Sequence, residues 1–373
     1  MSDRRATLPL YLGGFLGPFG GAVLAVLIPE LRDAFDATTA EVALAVPAYL
    51  VPFALLQVVS GTIGERIGRR RSVQGAYLIY AAALVLSAVS PTITVFLVSR
   101  AIQGVANAFT TPLLLAGLAD AVPAHRRGRA VGTFAGIQAG GLALAPLLGG
   151  LAGEVSWRLA FLLPAVVSIA LMLVPPPDPM REAGERPASL RSVMTMRMAL
   201  LCIAGFAGYI GMAGLAFLIS LRAGDAFALG ATERGALLAT YGAAGLAFGH
   251  TGGVWSERLG PGRASVVAAI AGAVLVAPLG IAPSAGAMAA LWFAAGAVSA
   301  LLWAGLNTIA VEAVPANRGG AVSLFAAFKF SGTAVAPLAW LPVYQVSPGL
   351  AFLCAGLALL VIVPLAPASL RVP

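Results

Sequence analysis

The chain is 373 residues long, 60% hydrophobic and 10% charged, with a mean hydropathy of +0.93. Soluble domains carry roughly a quarter of charged residues, so this composition excludes a water-soluble globular fold and points to a chain that lives in a bilayer. The formal net charge of +8 invites a nucleic-acid reading, but the basic residues punctuate apolar runs instead of forming one patch, and no nucleic-acid partner is expected.

Twelve apolar runs follow one another, each of about 18 to 25 residues and so long enough to cross a hydrocarbon core of roughly 30 Å as a helix. The first two, 8–30 and 41–63, hold Glu30 near the outer end of the first and Tyr49 and Gln57 in the second. The first run is of full membrane length and lacks a small-residue cleavage site, so it is expected to stay in the protein. "GTIGERIGRRR" begins at Gly61 and leads into the third run, 73–90. The fourth, 93–118, carries Arg100, Gln103 and Asn107 at i, i+3 and i+7, a spacing that puts all three on one helical face. The fifth and sixth are 130–152, with Gln138, and 159–176.

The proline-rich, charged stretch "PPPDPMREAGERPASLRSVMTMR" then reads as a linker, giving bundles at 1–175 and 198–373 with a cytoplasmic connection at 176–197. Runs seven to nine are 198–221 with Tyr209, 235–256 with Tyr241 and His250, and 264–282. The last three are 286–311 with Asn307, 321–343 with Lys329, and 349–367. Cys202 and Cys354 both fall inside runs, so no disulfide framework is expected. With the amino terminus inside, 17 of the 23 basic residues face the cytoplasm, Arg32, Arg158, Arg222 and Arg234 face outward, and Arg100 and Lys329 lie within runs. That asymmetry predicts that both termini are cytoplasmic.

The two halves share one register. "GTIGERIGRRR" at 61 matches "GVWSERLGPGR" at 253, and "ADAVPAHRRG" at 119 matches "VEAVPANRGG" at 311, both at an offset of 192. The same shift pairs Glu41 with Glu233 and Tyr49 with Tyr241; one deletion near Arg129 then makes it 191, pairing Phe134 with Phe325 and Pro146 with Pro337. A duplicated unit with an even number of helices gives both copies the same orientation in the membrane.

On these residues the chain resembles the major facilitator superfamily over essentially its whole length. "GTIGERIGRRR" is similar to that family's loop between helices 2 and 3, with Gly61, Glu65, Arg66, Gly68 and Arg69 on matching positions and Glu65 where aspartate is usual. "RAIQG" resembles its helix 4 motif through Arg100 and Gly104, and "GGLALAPLLGG" its antiporter helix 5 motif, except that Ala145 stands where glycine usually precedes Pro146. The resemblance implies an all-α membrane protein of twelve transmembrane helices in two pseudo-twofold-related six-helix bundles. It also implies that Gly61, Glu65, Arg66, Gly68 and Arg69, with Gly253, Glu257 and Arg258 in the second half, stabilise one access state as a gate. Asp120 and Glu312, equivalent at 192, are expected to join those clusters as acidic partners. The plainer reading, that the charges only anchor topology, stays open.

Within the runs the one lysine of the chain is the most telling residue. Lys329 lies about nine residues into the eleventh run, roughly 13 Å below the cytoplasmic surface at 1.5 Å per residue. A charge there costs roughly 2.5 to 3.5 kcal/mol on insertion scales, so it is expected to line a wet cavity or meet an anion. Gln138 is its equivalent at 191, and both are expected to face the pseudo-twofold axis. No Asp or Glu falls mid-membrane to pair with it; Glu30 comes nearest. Arg100, Gln103 and Asn107 are read as contributing to substrate binding or proton coupling, with a structural tie from Arg100 to backbone carbonyls as the alternative. Tyr49, Tyr241, Asn307, Gln57 and Tyr209 are further lining candidates, and Glu30 and His250 are candidates for proton coupling.

No GxxxxGK nucleotide motif, metal-ligand spacing or nucleophile, base and orienter set occurs, so neither ATP drive, resident cofactor, metal nor enzymatic activity is expected. The expected function is secondary transport by alternating access of a small organic solute, anionic or strongly hydrogen-bonding, by efflux or exchange with a coupling proton or counter-anion. The expected setting is a bacterial inner membrane, as a monomer. Two alternatives stay open: a proton-coupled multidrug or sugar efflux antiporter, and a receptor or lipid-handling protein that kept the fold without transporting.

Overall fold

Hydrocarbon offers backbone N–H and C=O groups no partner, so a segment that crosses it must bond them internally. The computed structural model describes residues 2–123, 127–174 and 190–371, and among these every regular element is helical. The chain forms two compact units, Met1–Pro187 and Ala188–Pro373.

In the first unit, α1 (Ser2–Ala22) passes through a 3-10 turn, Val23–Val26, into α2 (Ile28–Phe35). There follow α3 (Thr39–Ala43), α4 (Ala45–Ile67), α5 (Arg69–Ala88), α6 (Ile93–Ala108), α7 (Thr110–Ala121), α8 (Arg127–Val155) and α9 (Leu159–Met172). In the second unit, a 3-10 turn at Leu190–Val193 precedes α10 (Met196–Gly211), α11 (Ala216–Phe227), α12 (Ala231–Leu259), α13 (Pro261–Val276) and α14 (Ala285–Ala313). It closes with α15 (Arg318–Val346), α16 (Pro348–Leu359) and α17 (Ile362–Arg371).

Each of the twelve predicted runs falls on helix. Nine helical stretches among the described residues are long and apolar enough to cross a membrane. The third and eighth runs, on α5 and α12, have the length, 20 and 29 residues, but share their turns with the polar loop motif. The sixth, α9, is 14 residues long. Residues 176–189 of the predicted linker lie outside the described residues, while its last part is ordered as the 3-10 turn and the start of α10, capped by Thr195 accepting from the Met198 N–H at 3.2 Å. Several runs are also broken where continuous helices were expected. The first breaks at the 3-10 turn after Pro18 of α1, and the fourth breaks at Phe109, where the Thr110 hydroxyl bonds the Asn107 carbonyl and side chain at 2.8 and 2.9 Å.

The duplication is written into the backbone of each unit. Among the described residues positive φ occurs outside glycine only at Asp36 (47°) and Ala228 (52°), and among glycines at Gly68 (111°) and Gly260 (81°), each pair 192 apart. Asp36 ends α2 and Ala228 ends α11 in the same left-handed conformation. Gly68 and Gly260 make the tight connections from α4 to α5 and from α12 to α13, where a side chain would be strained. Glu41 caps α3 by accepting from the Thr38 N–H at 2.8 Å, and Glu233 caps α12 from the Gly230 N–H at 2.9 Å. Packing repeats too: α1 lies on α8 and α4 on α6, as α10 lies on α15 and α12 on α14. A Cβ at Gly104 would meet the Tyr49 carbonyl, and one at its equivalent, Gly296, the Tyr241 carbonyl, so the hydrogen side chain is what lets these helix pairs touch.

Candidate functional site

In the first unit a polar cluster is built around α6. Arg100 is fully buried, donates to Gln103 Oε1 at 2.6 Å and to the Gly20 carbonyl at 2.9 Å, and lies 4.3 Å from the centre of the Tyr49 ring. Gln103 in turn donates to Ser87 Oγ at 2.7 Å and to the Ala83 carbonyl at 3.3 Å, and Tyr49 donates to the Gly17 carbonyl at 3.1 Å. The i, i+3, i+7 face read from the sequence is therefore occupied by protein: α1, α4 and α5 all contribute acceptors or rings. Tyr49, expected as a lining residue, is 1% exposed and serves as the platform under the guanidinium. No carboxylate touches Arg100 among the described residues, and its Nε has no partner there.

The second unit places a different residue at the equivalent spot. Trp292, 192 after Arg100, stacks on Tyr241 with ring centres 4.4 Å apart and donates to the Leu238 carbonyl at 3.3 Å. The indole fills the room that the guanidinium fills in the first copy. The ring of Tyr241 is thereby a packing partner of α14.

The second unit keeps its own cation elsewhere. Lys329, half-buried on α15, donates to Asn307 Oδ1 of α14 at 3.4 Å. Its Nζ lies 5.1 Å from the centre of the Phe325 ring, 5.6 Å from Tyr209 and 5.7 Å from Trp303. Tyr209 packs on Trp303 at 4.6 Å and on Phe330 at 5.8 Å. Ring faces carry partial negative charge and stabilise an ammonium by roughly 0.5 to 2 kcal/mol each, depending on solvation. No carboxylate pairs with Lys329 among the described residues, so its positive charge is softened but not neutralised. Asn307 and Tyr209, named from sequence, meet Lys329 here. Trp303 and Phe325 were missed as wall residues. Their spacing held the signal, since Trp303 precedes Asn307 by one helical turn and Phe325 precedes Lys329 likewise.

The remaining candidates are scattered. Gln138, the equivalent of Lys329, is half-buried on α8. Gln57 on α4 is half-buried, and its Oε1 has no hydrogen-bond partner among the described residues. Glu30 sits in the first turn of α2, where a carboxylate favours the helix dipole. His250 is exposed on α12.

At the loop motif, buried Arg69 donates to Asp120 Oδ2 of α7 at 2.8 Å. The second copy carries Pro261 in place of Arg69, and Glu312, Glu257 and Arg258 are exposed there, with Arg258 5.9 Å from the Trp255 ring. Gly61 and Gly253 lie inside α4 and α12, and the tight turns of the two motif copies are made by Gly68 and Gly260. Arg66 is exposed, and the Glu65 side chain lies outside the described residues.

A family model described as Major Facilitator Superfamily matches residues 10–200 and again 201–373. Among curated proteins, the chain is 28% identical over 230 residues to the uncharacterized MFS-type transporter EfpA of Mycobacterium tuberculosis, covering 58% of this chain and 43% of that one. It is 30% identical over 162 residues to the drug efflux pump JefA of the same organism, covering 43% and 32%. The chain thus spans well under half the length of these relatives. Among solved structures, a bacterial homologue of the human lysosomal transporter Spinster superposes with a TM-score of 0.80 at 17% identity, covering 98% and 96%. The Escherichia coli xylose transporter XylE gives 0.74 at 18%, covering 99% and 96%.

Proposed function

The chain belongs to the Major Facilitator Superfamily and is an integral membrane protein, and from that premise we propose that it is a secondary active transporter of a small organic anion, working by alternating access. One observation carries the substrate charge: the Lys329 ammonium faces Asn307 and three aromatic rings with no carboxylate beside it among the described residues. A visiting anion supplies the missing charge, and the neutral pair is far easier to hold at membrane depth than either ion alone. The cytoplasmic bias of the arginines supports a bacterial inner membrane with both termini inside. Arg69 and Asp120, closed at 2.8 Å, support the gate reading, since a pair half open to water is cheap to break and remake. Direction is efflux or exchange, and a proton or second anion completes the cycle.

Counterflow into proteoliposomes preloaded with a mixture of organic anions tests the proposal. Saturable uptake of labelled anion is expected, lost in Lys329→Met. Binding without saturable exchange would favour the receptor alternative, and exchange of hydrophobic cations that ignores Lys329→Met would favour the proton-coupled multidrug efflux antiporter, a reading supported by the likeness to the drug efflux pump JefA.

A further inference from the structure

The chemistry around Lys329 says more than the sign of the charge. The ammonium has three donor hydrogens, and the structure gives one of them an acceptor, Asn307 Oδ1 at 3.4 Å. Two remain for a ligand, and an ionised carboxylate has the lone pairs to accept both. The walls beside those hydrogens are π surfaces. Tyr209 and Trp303 lie 4.6 Å apart at 60°, and Phe330 meets Tyr209 edge-on at 5.8 Å and 76°. Both Tyr209 and Trp303 are half-buried, so each keeps ring surface that the protein does not cover. A flat ring extends such an array by offset stacking or edge-to-face contact, while a saturated ring of equal size offers only dispersion.

Charge count narrows the head group. Among the described residues Lys329 is the only basic residue in this cluster, and the other basic residues on the helices that form it, Arg197 and Arg318, stand at the starts of α10 and α15, twelve positions before Tyr209 and eleven before Lys329, about 18 and 16 Å along their helices. A single positive charge neutralises a monoanion. A phosphate ester, with close to two negative charges, would keep an uncompensated charge among aromatic walls.

From these features we infer that the site selects aromatic monocarboxylates, with the carboxylate on Lys329 Nζ and the ring against Tyr209 and Trp303. The inference rests on the anion-transport reading and sharpens it. Trp303 is then a specificity-determining residue. It touches the ligand's ring without touching its charge.

Titration calorimetry on the purified full chain with four probes tests this: benzoate, cyclohexanecarboxylate, benzyl alcohol and phenyl phosphate. Benzoate and cyclohexanecarboxylate match in charge and size and differ in their π electrons. Benzoate is expected to bind about three- to tenfold more tightly than cyclohexanecarboxylate, and both alcohol and phosphate are expected to bind about tenfold or more weakly than benzoate. Trp303→Leu is expected to bring the two acids to about equal affinity while both still bind. Equal affinities in the unaltered protein, or phenyl phosphate as the tightest ligand, overturn the inference and leave anion transport standing. Binding of neither acid overturns the inference as well, and if saturable counterflow of labelled anion is also absent in the unaltered chain the anion reading falls with it. The four-probe series on the unaltered chain decides the matter even if Trp303→Leu fails to fold.

Discussion

Arg100 and Lys329 lie deep in membrane-length helices with no carboxylate beside them among the described residues, and their surroundings assign them different work. Arg100 is fully buried and directs its donors to the Gly20 carbonyl and Gln103, so its hydrogen bonds tie α6 to α1. Lys329 is half-buried against rings and an exposed asparagine, so it retains donors for something outside the protein. The second unit shows what the Arg100 position requires for packing, because Trp292 fills it on an equivalent tyrosine. Arg100→Trp is therefore expected to keep most of the melting temperature, whereas Arg100→Ala, which opens a cavity and strands acceptors, loses about 3 kcal/mol. Thermal unfolding of the two variants ranks them, and equal losses would show that the guanidinium's hydrogen bonds, not its volume, hold the cluster. Counterflow by a folded Arg100→Trp protein then reads whether transport needs the charge itself.

Helix contacts here depend on what is missing from side chains. Gly104 and Gly296 bring α6 onto α4 and α14 onto α12 with a tyrosine carbonyl where a Cβ would stand. Because backbone cannot yield as a flexible side chain does, Gly104→Val is expected to destabilise the first unit by about 2 to 3 kcal/mol, and Gly296→Val the second similarly. Melting curves check this, and unchanged stability would mean that the helices slide apart at little cost. Between α5 and α7 the link is electrostatic. Asp120 is about half exposed, its side chain at 51%, so Arg69→Ala is expected to lower stability by no more than about 1 kcal/mol. Its larger expected effect is on counterflow turnover, which falls severalfold with ligand affinity unchanged; a parallel loss of affinity would place the pair in binding instead of gating.

For the whole molecule, the cycle's electrical signature follows from one cation meeting one anion. Exchange of one monocarboxylate for another is expected to move no net charge, to proceed without ATP, and to leave solid-supported-membrane currents at baseline while labelled acid exchanges; a steady current would require a co-transported ion. The apolar runs, their number and the 192-residue repeat were legible in the sequence because hydrophobic length and duplication are local or periodic properties, and bilayer solvent forces such runs into helices. The repeat reappears in the backbone as paired positive-φ positions such as Asp36 and Ala228, which the aligned motifs did not announce because the two residues differ. What the sequence determined about the site was its cation and the absence of a nearby acid, since both are matters of composition within a run. Only the tertiary structure decided that Arg100 is held by its own unit while Lys329 stands in a ring of Phe325, Tyr209 and Trp303, because those rings come from three helices and their distances depend on how closely glycine lets the backbones approach.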